Sequence, residues 1–272
     1  MKRSTERILT THAGSLPAPP ELDPKAGDYE AQLREHVRAI VRRQVETGLD
    51  IINDGELSKG HWLAYLDARL GGFESRPLTA SDPPPVLFRG KDREDFPGFY
   101  EEATRQGTLF YSSGYQQISP SQAGIRAVCA SPVRYVGQKY VQRDAGNLRA
   151  ALDVLSAQPE EAFLAVAAVA SIEPYRFFEA ANARHEHEYH VWENVKLPPD
   201  SILIPGVVSH ATNIVEHPEL VSERIQRFVR IAGTENVIAG TDCGFGGRIH
   251  PELAWAKLRA LAEGARLATV RQ

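Results

Sequence analysis

Cysteine is scarce in this sequence, since only Cys129 and Cys243 occur among its 272 residues. Two cysteines are too few for a disulfide framework, so we expect a reducing, cytoplasmic compartment. Residues 1–7 are charged, and the apolar segment that a signal peptide needs does not follow them. No stretch approaches the roughly 18 consecutive apolar residues of a membrane span. These absences predict a cytoplasmic globular protein with no membrane segment.

An excess of charge of one sign is also lacking. The chain has 31 Lys and Arg against 35 Asp and Glu, a formal net charge of -4. This balance gives no electrostatic reason to expect nucleic acid or an anionic membrane as a partner. No internal repeat, low-complexity segment or linker divides the chain. We therefore predict one domain over residues 1–272, with an irregular, proline-rich insertion at about 71–121.

What the sequence does contain is an alternation of short apolar runs and segments of helical periodicity. The apolar runs predict buried strands, the clearest being 49–52, 202–208 and 237–239. The clearest helical segments are 29–47, 218–231 and 253–267. Such alternation predicts an α/β fold with a parallel sheet, and polar residues at the strand ends favour a (β/α)8 TIM-barrel type. About six strands are evident where a closed barrel needs eight, so about two βα units would be lacking.

Cys243 follows the last predicted strand, between Asp242 and Gly244. In an α/β fold the carboxyl end of a strand is where catalytic groups are usually carried. Most free cysteines are simply small buried residues, and the local pattern leaves that alternative open.

Five ordered motifs span most of the chain: TTHAGSLP at 10–17, NDGE at 53–56, FEAAN at 178–182, PGVVSH at 205–210 and TDCG at 241–244. Together they resemble the motifs of the cobalamin-independent (vitamin-B12-independent) methionine synthase family. The similarity is to its short, single-barrel members, related to the catalytic C-terminal domain of the long enzyme.

The resemblance implies a barrel of the uroporphyrinogen decarboxylase/methionine synthase-like type and a methyltransferase activity. In that family a zinc ion activates a small-molecule thiol such as homocysteine, and a reduced folate donates the methyl group. The resemblance places zinc ligands at Glu179 and Cys243, and substrate contacts at Ser15 and Glu56. Zinc suits this chemistry, because a site with one open position can bind a substrate thiol and deprotonate it at neutral pH.

One part of the family pattern is missing. The family holds its zinc with a His-x-Cys pair besides the Glu and the last Cys, and this chain has no His-x-Cys. A catalytic zinc normally takes three protein ligands. His12 and His210, both at predicted strand ends, are the candidates to complete the set; the alternative for each is a hydrogen-bonded structural histidine. The histidine-rich segment 185–190 is more typical of a solvated helix face.

Two further hypotheses follow from the missing segment. The chain could be a catalytically impaired or inactive family member that acts as a binding or assembly protein, which zinc content would distinguish from a methyltransferase. A metal-free enzyme would need a cleft lined by Asp and Arg, and no motif marks one. Loss of two units would also open an edge of the sheet, which a second copy could cover in a homo-oligomer.

Overall fold

The computed structural model describes residues 2–59, 69–77, 94–106, 125–166, 189–196, 198 and 200–270. The helices in these ranges are α1 (Tyr29–Thr47), α2 (Pro97–Gln106), α3 (Gln138–Leu152), α4 (Tyr189–Asn194), α5 (Pro218–Ala232) and α6 (Pro251–Val270), with a short 3-10 helix at Thr234–Asn236. The strands are β1 (Leu9–Thr10), β2 (Ile51–Asn53), β3 (Leu70–Pro77), β4 (Ile125–Tyr135), β5 (Glu161–Phe163), β6 (Gly206–Val208) and β7 (Ile238–Thr241).

Five of these strands pair in parallel. β7 lies between β1 and β6, and β2 pairs with β5. The Asp50 N–H donates to the Thr10 carbonyl at 3.3 Å and the Thr11 hydroxyl to the Ile51 carbonyl at 3.0 Å, which brings β2 beside β1. The fold is therefore mixed α/β, and the predicted parallel pairing is confirmed for these strands. Because parallel strands share a direction, the loops after β1, β2, β6 and β7 leave the same edge.

Helix α1 shows how the predicted spacing builds the core. Its apolar residues recur three and four positions apart, and Leu33, Val37, Ile40 and Val41 are all buried. Gly48 ends the helix with φ at 92°, a left-handed conformation that glycine adopts without a Cβ clash. The chain can then turn directly into β2.

Helix α6 has a long buried face, and Trp255, Leu258 and Leu261 all lie in the core. It packs closely against α5, since a Cβ on Gly264 would lie 2.5 Å from a methyl group of Val221. None of the described helices is long and apolar enough to span a membrane.

The described residues fall into two compact units. The first contains 2–58, 144–165 and the described residues from 189 onward, and it holds all five parallel strands. The second contains 69–77, 94–106 and 125–143 and is built on β3 and β4, which pair antiparallel. The insertion predicted at about 71–121 overlaps this second unit. Most of β3 and all of α2 fall within it and are regular; apart from residues 94–96, the rest of the insertion lies outside the described residues.

Candidate functional site

The candidate site lies where the loops after β1, β2, β6 and β7 meet. The loop after β1 packs tightly on the loop after β7: the Ser15 carbonyl accepts the N–H groups of Phe245 and Gly246 at 2.7 and 2.8 Å. Gly244 is required at this contact, because a Cβ there would lie 2.4 Å from the Ser15 nitrogen. Ser15, the predicted substrate contact, is therefore fixed next to the loop that begins at Cys243.

Glu56, the second predicted substrate contact, lies in the loop after β2. This loop is tied to the first one, since the Leu16 N–H donates to the Gly55 carbonyl at 3.0 Å. The Glu56 backbone has a φ of 55°, which is uncommon for a residue with a side chain. The Asp54 carboxylate holds it there by accepting the Glu56 N–H at 3.1 Å. Backbone strain of this kind is more frequent at functional sites than elsewhere.

Cys243 is half-buried at the carboxyl end of β7, as the sequence predicts. An Arg248 guanidinium nitrogen donates to its sulfur at 2.6 Å. The glycine-rich turn brings the two together, because the Arg248 N–H closes the turn onto the Phe245 carbonyl at 3.1 Å. Sequence reasoning missed Arg248, since spacing in an irregular turn does not show where a side chain points.

His210 follows β6 and is oriented by Asp242. The Asp242 side chain is fully buried and accepts both the His210 backbone N–H, at 2.8 Å, and the ring Nδ1, at 2.9 Å. A carboxylate only accepts, so Nδ1 carries a proton, and in the neutral ring Nε2 presents a lone pair. No described residue bonds Nε2, and 21% of the His210 side chain is exposed. The position of Asp242 beside Cys243 was the only sequence signal of its role.

Two opposing effects act on Asp242. Burial raises the pKa of its carboxyl group, while hydrogen bonds and charge from His210, with a hydrogen bond from Ser209, lower it. The net effect is a pKa below the ordinary value of 3.8. Asp242 therefore stays ionised and keeps His210 in one orientation near neutral pH.

His12, the other candidate histidine, has a different environment. It is 1% exposed, and its Nε2 lies 2.9 Å from the Gln44 side-chain oxygen. Gln44 donates through its own nitrogen to the carbonyls of Ile40 and Asn53, so its oxygen is the acceptor and His12 Nε2 the donor. Burial lowers the pKa of His12 from 6.5 to about 4, although hydrogen bonds with Gln44 and the Ala13 backbone oppose this. These contacts are those of a neutral structural histidine.

Asn53 is a further polar residue at this edge that sequence reasoning did not single out. It is fully buried at the end of β2, and its side-chain oxygen accepts the Gly55 N–H at 2.7 Å. Its side-chain nitrogen has no hydrogen-bond partner among the described residues. A buried donor normally has a partner, so this nitrogen is a candidate contact for water or a bound ligand.

At the candidate site, the Cys243 thiol and the His210 imidazole are groups of the kinds that zinc prefers. A zinc-binding histidine typically donates its other ring nitrogen to a carboxylate, as His210 does to Asp242. Within the described ranges, no three or more His, Cys, Asp or Glu side chains are grouped so that they could hold a metal ion. Glu179 lies outside those ranges. In the segment 185–190 only residues 189 and 190 are described, and His190 is exposed and bonded to Glu193 at 2.7 Å.

The fold and the site together define a mixed α/β protein whose candidate catalytic groups lie at the carboxyl ends of parallel strands. No protein-family model matches the chain. Among solved structures it is similar to a B12-independent methionine synthase from a Shewanella species, determined in complex with selenomethionine. The identity is 14% and the TM-score 0.49, over 97% of this chain and 98% of that one.

A second similar structure is a provisionally named vitamin-B12-independent methionine synthase from Listeria monocytogenes. It is 13% identical with a TM-score of 0.42, over 96% of this chain and 98% of that one. Both are named for the family that the five sequence motifs resemble. At these identities and TM-scores, neither likeness assigns an activity or a residue role to this chain.

Proposed function

We propose that this protein is an enzyme of (β/α)8 TIM-barrel type, with about two βα units fewer than a closed barrel, that transfers a methyl or alkyl group to a small-molecule thiol such as homocysteine. One observation carries the proposal. Cys243 follows β7, and His210, which the buried Asp242 carboxylate orients, follows the adjacent parallel strand β6. The loop that contains Ser15 packs against the turn that follows Cys243. The reaction that we propose for these groups is inferred from the resemblance of the five sequence motifs to the methionine synthase family.

Zinc is the proposed metal, held by Cys243, His210 and, from the sequence alone, Glu179. Three protein ligands leave one position open, as catalytic zinc sites do. When bound there, zinc would lower the pKa of the substrate thiol and so supply a thiolate at neutral pH. His12 is left out of this proposed set, because its Nε2 is already bonded to Gln44.

The residues of the chain orient the other groups. Asp242 holds His210 with Nε2 available, and Arg248 fixes the Cys243 sulfur. Ser15 and Glu56 would contact the substrate, and the Asn53 side-chain nitrogen is a further donor. In the transfer, a sulfur electron pair forms the bond to the methyl carbon. The bond from that carbon to the donor, which we propose is a reduced folate, breaks with its electron pair and a proton going to the donor.

The test is methyl transfer from a reduced methylfolate to homocysteine by the purified full-length chain. We expect turnover by the wild type and, in Cys243→Ser, a loss larger than the roughly 10–100-fold that removing a hydrogen-bond partner of a metal ligand produces. Cys129→Ser is the matched control, since it removes the chain's other cysteine, and should retain activity. A folded wild type with neither transfer nor zinc would instead support the binding or assembly hypothesis.

A further inference from the structure

A buried ion pair links helix α6 to the loop that carries His210. Lys257 is fully buried, and its ammonium nitrogen lies 2.8 Å from one carboxylate oxygen of Glu216. Glu216 is also buried and lies at the end of the loop after β6, next to the start of α5. Both charges are therefore removed from water within the first unit of the fold.

The pair holds this loop at several points. The second Glu216 carboxylate oxygen accepts the Ser209 N–H at 2.8 Å, immediately before His210. Lys257 also donates to the Ile214 carbonyl. In addition, the Ser209 hydroxyl accepts the Ala211 N–H at 3.1 Å. Ser209, at the start of loop 209–216, is thus bonded to Glu216, and Ile214, near its end, is bonded to Lys257. These two buried side chains are in turn bonded to each other.

Stability alone does not account for such a pair. Removing two charges from water is costly, and replacing a buried ion pair by apolar residues of similar size is often neutral or stabilising. Lys257 lies among apolar core residues of α6, including Trp255, Leu258 and Leu261, so an apolar side chain would suit the packing there. What an apolar side chain cannot supply is the set of directed hydrogen bonds to Ser209 and Ile214.

We propose that Glu216 and Lys257 are positioning residues that fix loop 209–216, so that the His210 ring stays on Asp242 with Nε2 available to the site. The two residues act through His210 and need not touch the substrate. The importance of this position for catalysis rests on the proposed function, but the effect on the His210 ring does not.

The experiment measures the two ring nitrogen shifts of His210 by 15N NMR in the full-length chain, with His210→Gln to assign the signals. A ring fixed on Asp242 keeps one tautomer and gives two widely separated shifts. In the double variant Glu216→Leu with Lys257→Met, we expect the protein to remain folded and the separation to shrink as both tautomers become populated. An unchanged separation in the folded double variant would overturn the proposal.

Leu258→Ala is the control, because Leu258 is equally buried on the same helix and forms no side-chain hydrogen bond to the loop. It should lower stability and leave the His210 shifts unchanged; collapse of the separation here too would also count against the proposal. If the double variant does not fold, the two His210 ring nitrogen shifts are measured in Glu216→Gln instead. Their separation should again shrink, but by less than in the double variant, and an unchanged separation would again overturn the proposal. Neither measurement needs metal or substrate, so a failure here is distinct from a failure of the transfer assay.

Discussion

The surroundings of His12 and His210 determine which of these two histidines can act at the candidate site. His12 and His210 both follow parallel strands, yet His12 is enclosed and donates to Gln44, whereas His210 is partly exposed and donates to Asp242. The sequence could place both residues at strand ends. It could not distinguish them, because the partners lie 32 positions away in each case and depend on side-chain directions across packed elements.

Burial of His12 predicts a loss of stability in mild acid. Its pKa is about 4 in the folded protein and near the ordinary value of 6.5 in the unfolded chain. Between these pH values the unfolded state binds the proton and the folded state does not, so the free energy of unfolding falls as the pH falls. The loss should reach about 3 kcal/mol once the pH is below 4.

Urea denaturation at a series of pH values measures this effect. His12→Asn keeps a side-chain N–H to donate to Gln44 but cannot be protonated in this range. Its free energy of unfolding should therefore fall less steeply than that of the wild type between pH 6.5 and 4. Identical pH dependence in the two proteins would show that His12 is not the group responsible.

The contact between Ser15 and Gly244 gives a second residue-scale prediction. Gly244→Ala places a Cβ 2.4 Å from the Ser15 nitrogen, a backbone atom that can move only if the loop shifts. We expect a destabilisation of about 1–3 kcal/mol, typical of overpacking. Gly146→Ala is the matched control: no atom lies within 4 Å of its added Cβ and it lies within α3, so it should gain about 0.5–1 kcal/mol. Equal melting temperatures for the two variants would contradict this account of the loop contact.

At the scale of elements, α5 and α6 begin in the same way. Each begins within the sequence His-Pro-Glu-Leu, at 217–220 and 250–253, with the proline as its first residue. In each case the histidine Nδ1 accepts the N–H two residues later, at 3.2 Å for His217 and 3.3 Å for His250. Histidine thus takes the capping role that Ser, Thr, Asp or Asn usually has, and proline at the next position needs no hydrogen-bond partner for its nitrogen.

The cap of α5 can be tested by substitution at His217. His217→Ala removes the acceptor and should lower stability by about 1 kcal/mol, while His217→Asn supplies a side-chain oxygen and should restore most of it. Thermal unfolding of the three proteins at neutral pH makes the comparison. An Asn variant as unstable as the Ala variant would mean that the hydrogen bond does not stabilise the helix.

Apolar spacing in the sequence was enough to predict α1, α5 and α6, because each of these helices buries one regular apolar face. Short apolar runs predicted β2, β6 and β7, but β5 was not predicted. The sequence pattern was not enough for β3 or for the pairing of β3 with β4. This pairing is antiparallel and its register shifts at Gly72, whose φ of 104° and close approach to the Pro132 carbonyl need glycine. A strand interrupted in this way has no regular period, so most of β3 fell in the segment that was predicted as irregular.

At the scale of the whole molecule, the site depends on parts of the chain that are far apart in sequence. β1 pairs with β7, with Leu9 opposite Ile238, and β7 pairs in turn with β6. The carboxyl ends therefore bring residues 12–16 beside 241–246. The alternation of strands and helices in the sequence predicted the parallel sheet but not the pairing of β1 with β7. It could not supply the bonds of Arg248 to Cys243 or of Lys257 to Glu216, because neither follows from spacing.

Zinc content is the most direct test of the central claim that Cys243 and His210 belong to one metal site. The full-length chain, purified without chelators, should contain about one zinc per chain by mass spectrometry of the metal. Cys243→Ser and His210→Gln should each lose most of it, and Cys129→Ser should keep it. A wild type that remains folded and holds no more zinc than Cys243→Ser, even when zinc is supplied, would contradict the claim.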